Sequence, residues 1–152
     1  PYDIDLNYAL AFKYAENKNP KVIALCDSLI RIDSVNAHAE PHYYKGIYYT
    51  NIGDYAKALS SFELANQNDY TYLNAYIEKG RVLVDMKKYA DALKTFTLAN
   101  TISPKFPDAW YWMARCQELM GKKDEARLNY QKALGLDPDF EEAKEALEKF
   151  DN

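Results

Sequence analysis

Histidine and cysteine are the side chains whose chemistry is most easily recruited, and each occurs twice in this chain of 152 residues. His38 and His42 stand four apart, a spacing that sets two imidazoles on one face where both lie on a helix. Asp33 and Glu40 are the carboxylates beside them. A metal centre needs companion ligands, and no cysteine lies near, so Asp33 and Glu40 read as caps and surface charges. Cys26 and Cys116 are 90 residues apart in apolar, helix-like contexts. They read as buried thiols acting as small hydrophobes, a usage compatible with a reducing compartment and also with an oxidising one. No nucleophile–base arrangement, glycine-rich phosphate loop or close cysteine pair is present. The expectation is a chain that is not an enzyme and has no cofactor and no metal.

Aromatic and charged residues bound the partners. Tyrosine occurs 14 times, well above ordinary usage. Nineteen basic residues face 23 acidic ones, a net charge of −4, which disfavours a nucleic-acid backbone and an anionic membrane surface. The longest wholly apolar run is Ala109 to Ala114, against the roughly 20 residues of a spanning helix. The chain opens at Pro1 without a Met or a charged-then-apolar leader. That opening is expected of a chain whose upstream part was trimmed or lies outside this sequence.

The elements that position these residues come from an internal repeat. A shift of 34 residues brings Gly46 onto Gly80, Ala58 onto Ala92, Phe62 onto Phe96 and Ala65 onto Ala99. A second shift brings Gly80 onto Ala114, Ala92 onto Ala126, Phe96 onto Tyr130, Ala99 onto Ala133 and Pro104 onto Pro138. Each pair of small residues flanks a break: Ile52-Gly53-Asp54, Met86-Lys87-Lys88 and Met120-Gly121-Lys122. Gly53 and Gly121 suit the left-handed residue that ends a helix. Folding back at the break lets two antiparallel helices approach through small side chains, with Phe62, Phe96 and Tyr130 filling the space to the next helices. Pro104 and Pro138 follow the second helix of a pair, where a chain stops and turns.

The units His42-x2-Lys45-Gly46-x2-Tyr49…Ala58-x3-Phe62, Tyr76-x2-Lys79-Gly80-x2-Leu83…Ala92-x3-Phe96…Pro104 and Trp110-x2-Met113-Ala114-x2-Gln117…Ala126-x3-Tyr130…Pro138 resemble the tetratricopeptide repeat. Lys45 and Lys79 depart from its leucine, Gln117 from its tyrosine and Tyr70 from its proline. A more degenerate unit precedes them. It runs from Asn7-x2-Leu10-Ala11-x2-Tyr14 through a cap at Asn19-Pro20, with Val22, Cys26 and Leu29 at the places of alanine, phenylalanine and alanine, to Ile32-Asp33-Ser34. A terminal repeat is commonly atypical because one face lacks a neighbour. Phe140, Ala143, Leu147 and Phe150 make the stripe of a closing amphipathic helix, covered elsewhere by Glu141, Glu142, Glu145, Glu148 and Lys149.

The resemblance implies an all-α fold, a right-handed α-solenoid of about four helix-turn-helix repeats plus a C-terminal capping helix. As one domain over 1–152, its repeats fall at about 4–37, 39–72, 73–106 and 107–138, with the cap at 139–150. It also implies that the first helices line a concave face. The residues expected there are Tyr8, Phe12, Tyr43, Tyr44, Ile47, Glu78, Arg81, Tyr111, Trp112 and Arg115, with Ile77 in the same register as Tyr43. Aromatics and arginine are enriched at binding hot spots. The same tyrosines could instead pack between helices. Arg81 has Glu78 and Asp85, and Arg115 has Glu118, as intrahelical ion partners; the other reading aims both arginines at a peptide's carboxylate or carbonyls.

Some members of this family clamp a chaperone's free C-terminal carboxylate with lysine, asparagine and arginine. The corresponding positions here carry Tyr8, Phe12, Tyr44, Asn74 and Glu78, or Tyr43, Ile47, Glu78, Asp108 and Trp112. No clamp of that kind is expected. RNA binding by a related helical repeat is disfavoured by the charge and the period. The expected function is a non-enzymatic scaffold that binds a protein or peptide through the concave face, as a monomer rather than a homo-oligomer. The alternative is an assembly component that self-associates or stacks through its ends. No nucleic acid and no membrane insertion are expected. The string Gly-Asp-Tyr-Ala-Lys-Ala-Leu at 53–59 resembles bacterial repeat proteins, some exported and lipid-anchored, and the compartment is left open.

Overall fold

A computed structural model describes residues 3–32 and 38–151, the last by its backbone alone. Asp33 and Ser34, read above as a cap and a helix end, lie outside the described residues. Nine α-helices and no strand occur among the described residues: α1 (Ile4–Glu16), α2 (Lys21–Ile32), α3 (Glu40–Asn51), α4 (Tyr55–Asn68), α5 (Leu73–Asp85), α6 (Tyr89–Ile102), α7 (Pro107–Leu119), α8 (Lys123–Leu136) and α9 (Glu141–Asp151). Contacts group the chain into two units, 1–82 and 83–152, with the division inside α5.

Local chemistry sets the helix ends. Asp3 and Asp54 cap α1 and α4, their carboxylates accepting from the N–H of Leu6 at 3.0 Å and Lys57 at 3.2 Å. Asn19 accepts from the N–H of Lys21 at 3.1 Å, one residue past Pro20. Pro41 and Pro107 stand in the first turns of α3 and α7, where no intrahelical donor is lost. The tight turns after α3 and α7 put Gly53 and Gly121 at φ of 81° and 79°, as their sequence contexts predict. Lys18 and Lys87 take the same left-handed conformation, at 55° and 60°. Each of these four turns closes with the same bond, from the following N–H to the carbonyl five residues back: Asn19 to Tyr14, Asp54 to Tyr49, Lys88 to Leu83 and Lys122 to Gln117, all 2.8–2.9 Å.

In the first unit α1 packs on α2 and α3, α2 on α3, and α3 on α4. Its core holds Ala11, Ala15, Val22, Cys26 and Leu29, all fully buried. The three that stand in for the repeat's alanine, phenylalanine and alanine therefore do their packing. Gly46 lies against Phe62: a Cβ there would meet Cδ1 of the ring at 2.6 Å. Only hydrogen fits between α3 and that ring.

The lysines that replace the repeat's leucine have a use. Lys45 of α3 reaches Asp27 of α2 at 2.9 Å, and Lys79 of α5 pairs with Glu63 of α4. Each stem lies along the packed surface while its head meets an acid on the preceding helix. Where proline is absent at Tyr70, Asp69 holds the turn, accepting from the N–H of Thr71 at 2.9 Å and from its hydroxyl at 2.7 Å.

In the second unit α6 packs on α7, α7 on α8, and α8 on α9. Ala114, Ala126, Tyr130, Ala133, Ala143 and Ala146 form its core, with Phe140, Leu147 and Phe150 of the closing stripe packed against it. Gln117, at the repeat's tyrosine position, is buried. Its side-chain carbonyl accepts from Asn129 of α8 at 2.7 Å and its amide donates to Glu125 at 3.1 Å. A polar bridge thus replaces an aromatic contact inside the α7–α8 hairpin. Arg127 donates to the carbonyl of Phe150 at 3.0 Å, which satisfies the end of α9.

Candidate functional site

α3 begins at Glu40, with Ala39 as its N-cap. His38 therefore precedes the helix, and the shared helical face that the spacing of four allows does not form. His38 instead meets the ring of Tyr8 edge-on, centroids 5.8 Å apart. The edge-on relation recurs between Tyr43 and Tyr72 at 5.4 Å, and Tyr111 and Phe140 also touch, tilted at 35° with centroids 5.0 Å apart. His38, Tyr72, Phe106 and Phe140 follow one another at intervals of 34 residues, just before a first helix. His38 thus occupies an aromatic place in the repeat. His42 is half-buried on α3; burial, then the charge of Lys45, lowers its pKa. Among the described residues no group of three or more His, Cys, Asp or Glu could hold a metal ion. Cys26 and Cys116 are free and buried, and burial pushes both thiols up to about 12, so neither supplies a nucleophile at neutral pH.

The first unit holds seven of the expected face residues. Tyr44 touches Tyr8 at 6.4 Å, Phe12 at 5.6 Å and Tyr43 at 5.9 Å, and Tyr43 goes on to Phe62 and Tyr72. Five first-helix or turn aromatics thus form one connected run from α1 to the residue before α5. The run is partly open: Phe12 is 40% exposed, while Tyr8, Tyr43, Tyr44 and Tyr72 are half-buried. Tyr8, Tyr44 and Ile47 also pack onto the α1–α2 core, so packing and exposure coexist in these side chains. Ile77 is buried. Arg81 donates to Glu78 at 2.7 Å, the intrahelical pair its spacing predicts.

Tyr72 was not legible as part of this run from the first-helix register, because it lies in the turn before α5. Its 34-residue echo in Phe106 and Phe140 is the signal that marks it. Burial, then Glu78, pushes the Tyr43 phenol up to about 12. Burial, then Glu40, raises that of Tyr44.

The second unit holds the other three. Tyr111 touches Trp112 at 5.3 Å and Tyr130 at 5.7 Å, and Trp112 stacks on Phe96 at 5.8 Å. Arg115 donates to Glu118 at 2.8 Å, and the buried Tyr130 hydroxyl donates to the same carboxylate at 2.7 Å. Arg115 is thereby tied to the hairpin core. Burial, with Asp137 and Glu142 nearby, raises the pKa of Asp108.

No helix among the described residues is long and apolar enough to cross a membrane. Residues 83–150 match the family model described as tetratricopeptide repeat. No curated protein sequence matches the chain. The fold is similar to that of MamA from Desulfovibrio magneticus RS-1, residue 41 to the end, at 23% identity and a TM-score of 0.73, covering 95% of this chain and 81% of that one. It is similar to the TPR domain of Arabidopsis OM64 at 21% identity and a TM-score of 0.67, covering 73% and 92%. A third similar structure is the first TPR of Spaghetti (RPAP3), bound to the HSP90 peptide SRMEEVD, at 23% identity and a TM-score of 0.70, covering 75% and 90%. With its all-helical hairpins, its buried repeat positions and these likenesses, the chain has the fold of tetratricopeptide-repeat proteins, and residues 83–150 match that family's model.

Proposed function

We propose that this chain is a non-enzymatic scaffold that holds another protein or peptide on the face built by the first helices of its hairpins. The observation that carries the reading is the connected, partly open aromatic run Phe12–Tyr44–Tyr43–Tyr72. Aromatic side chains left at a surface contribute large contact area at small entropic cost. The peptide complex of RPAP3 is a precedent on a similar fold. Its acidic ligand is not the one expected here, because Tyr8, Phe12, Tyr44 and Glu78 stand where a carboxylate clamp needs cations and amides. The partner is a protein, not a nucleic acid, and the chain works as a monomer.

The test is affinity capture from native lysate with the protein beside a Phe12→Ala/Tyr44→Ala variant, folding checked by circular dichroism. Partners bound by the first and lost by the second support the reading. Partners held equally by both contradict it.

A second reading, assembly through an end, is favoured by α1. Leu6 is 64% and Leu10 37% exposed, whereas Pro41, Ala75 and Ala109, at the register of Leu6, are buried. An apolar residue left out at Leu6, where the other repeats bury theirs, with Leu10 exposed one turn on, suits a contact with a further helix. Light scattering decides: a mass that rises with concentration and falls to the monomer in Leu6→Glu/Leu10→Glu supports assembly, and a constant monomer mass rejects it.

A further inference from the structure

We propose that the aromatic face of the first unit selects a basic, extended segment of its partner, seating an arginine or lysine on the rings of Tyr43 and Tyr44. The proposal rests on the scaffold reading above and names the chemistry of its ligand. Tyr43 and Tyr44 meet nearly edge to face, at 61° and 5.9 Å. Tyr43 meets Tyr72 at 73°. Both rings are only half-buried, so part of each π-surface, the negative side of the quadrupole, remains accessible to a cation.

Two carboxylates and one cation, Arg81, act on the two phenols. Glu40 opens α3 and Glu78 lies on α5, and these are the carboxylates that act on the Tyr44 and Tyr43 phenols. The neighbouring cations are already engaged. Lys45 is drawn to Asp27 and Lys79 to Glu63, both on the packing side of their helices. Arg81 is held by Glu78 at 2.7 Å, and its pull on Tyr43 is weaker than the push of Glu78. Glu78 is itself the partner of Arg81, so Glu40 and the π-clouds carry most of the negative character that complements a positive ligand and repels a negative one. An extended segment suits a run of rings that continues from α1 to the residue before α5.

The experiment uses three capped octapeptides, alternating Ala-Arg, Ala-Gln and Ala-Glu, titrated into isotope-labelled protein and read by amide chemical shifts. The expected result is that Ala-Arg shifts the amides around Phe12, Tyr43, Tyr44 and Tyr72, and that Ala-Glu does not. Glu40→Gln and Glu78→Gln, each away from the buried core, should weaken Ala-Arg by roughly three- to tenfold, and added salt should do the same. Ala-Gln or Ala-Glu shifting these amides as strongly as Ala-Arg would overturn the charge preference and leave the scaffold reading standing. Shifts confined to the exposed sides of α2 and α4, or none with any peptide, would overturn both.

Discussion

The imidazole of His38 meets the ring of Tyr8 at 5.8 Å and 69°, as Tyr72 meets Tyr43 at 73°, and Phe140 touches Tyr111 at the equivalent place in a tilted pair. The relation makes His38 a packing residue, and its replacement discriminates packing from ligation. His38→Phe should retain at least the wild-type stability, because a ring remains against Tyr8. His38→Ala should cost about 0.5–1.5 kcal/mol, the range of an aromatic pair. Urea midpoints of the two variants check this. Loss of stability in the phenylalanine variant as large as in the alanine variant would show that the imidazole nitrogens, not the ring, matter.

Gly46 and Gly135 should respond in opposite senses to alanine. A methyl at position 46 lands 2.6 Å from Cδ1 and 2.8 Å from Cζ of Phe62. That ring is fully buried and touches Tyr43, so it has little room to move. Gly46→Ala should destabilise by about 1–3 kcal/mol. Gly135, in α8 with nothing within 4 Å of the added carbon, should gain about 0.5 kcal/mol from helix propensity. Thermal melts of both variants decide.

Lys87 holds a left-handed conformation that its side chain disfavours, at φ 60°. Lys87→Gly removes the steric cost and keeps both turn hydrogen bonds, Lys87 N–H to Val84 and Lys88 N–H to Leu83, each 2.8 Å. The expected gain is about 0.5–1 kcal/mol. An unchanged or lower melting temperature would mean that the lysine side chain contributes something that its backbone does not show.

Gln117 and Asn129 form a buried pair at 2.7 Å. Asn129→Leu alone leaves the Gln117 carbonyl without this donor and should cost about 1–3 kcal/mol. The double variant with Gln117→Leu should recover part of that loss, since two apolar groups need no partners. A double-mutant cycle in urea measures the coupling; a coupling near zero would contradict the bridge.

The repeat was legible because its small residues and aromatics recur at one period and each has a single packing role. Ala58, Ala92 and Ala126, with Phe62, Phe96 and Tyr130, are all fully buried. The degenerate first hairpin was legible for the same reason, through Val22, Cys26 and Leu29. The departures were not. Nothing in the one-dimensional pattern tells that Lys45 finds Asp27 across a helix interface, or that Gln117 finds Asn129. Those contacts join positions 18 and 12 apart whose complementarity appears only when the helices are placed. His38 misled because a spacing of four was read on a helix that starts two residues later. On the candidate face, spacing correctly paired Arg81 with Glu78 and Arg115 with Glu118. It did not find the Tyr130 hydroxyl on Glu118 or the turn aromatic Tyr72, both of which come from neighbouring elements.

The most direct test of the central claim is selection of a random peptide library on the immobilised protein. The pool is then rebound to Phe12→Ala/Tyr44→Ala and, as a control on the opposite sides of the hairpins, to Leu64→Ser/Leu98→Ser. The account predicts enriched peptides that lose at least about tenfold in affinity on the first variant, equal to 1.4 kcal/mol, and bind the second like the parent. Peptides that bind the aromatic variant unchanged, or are lost only with the leucine variant, would contradict a scaffold that works through its first helices.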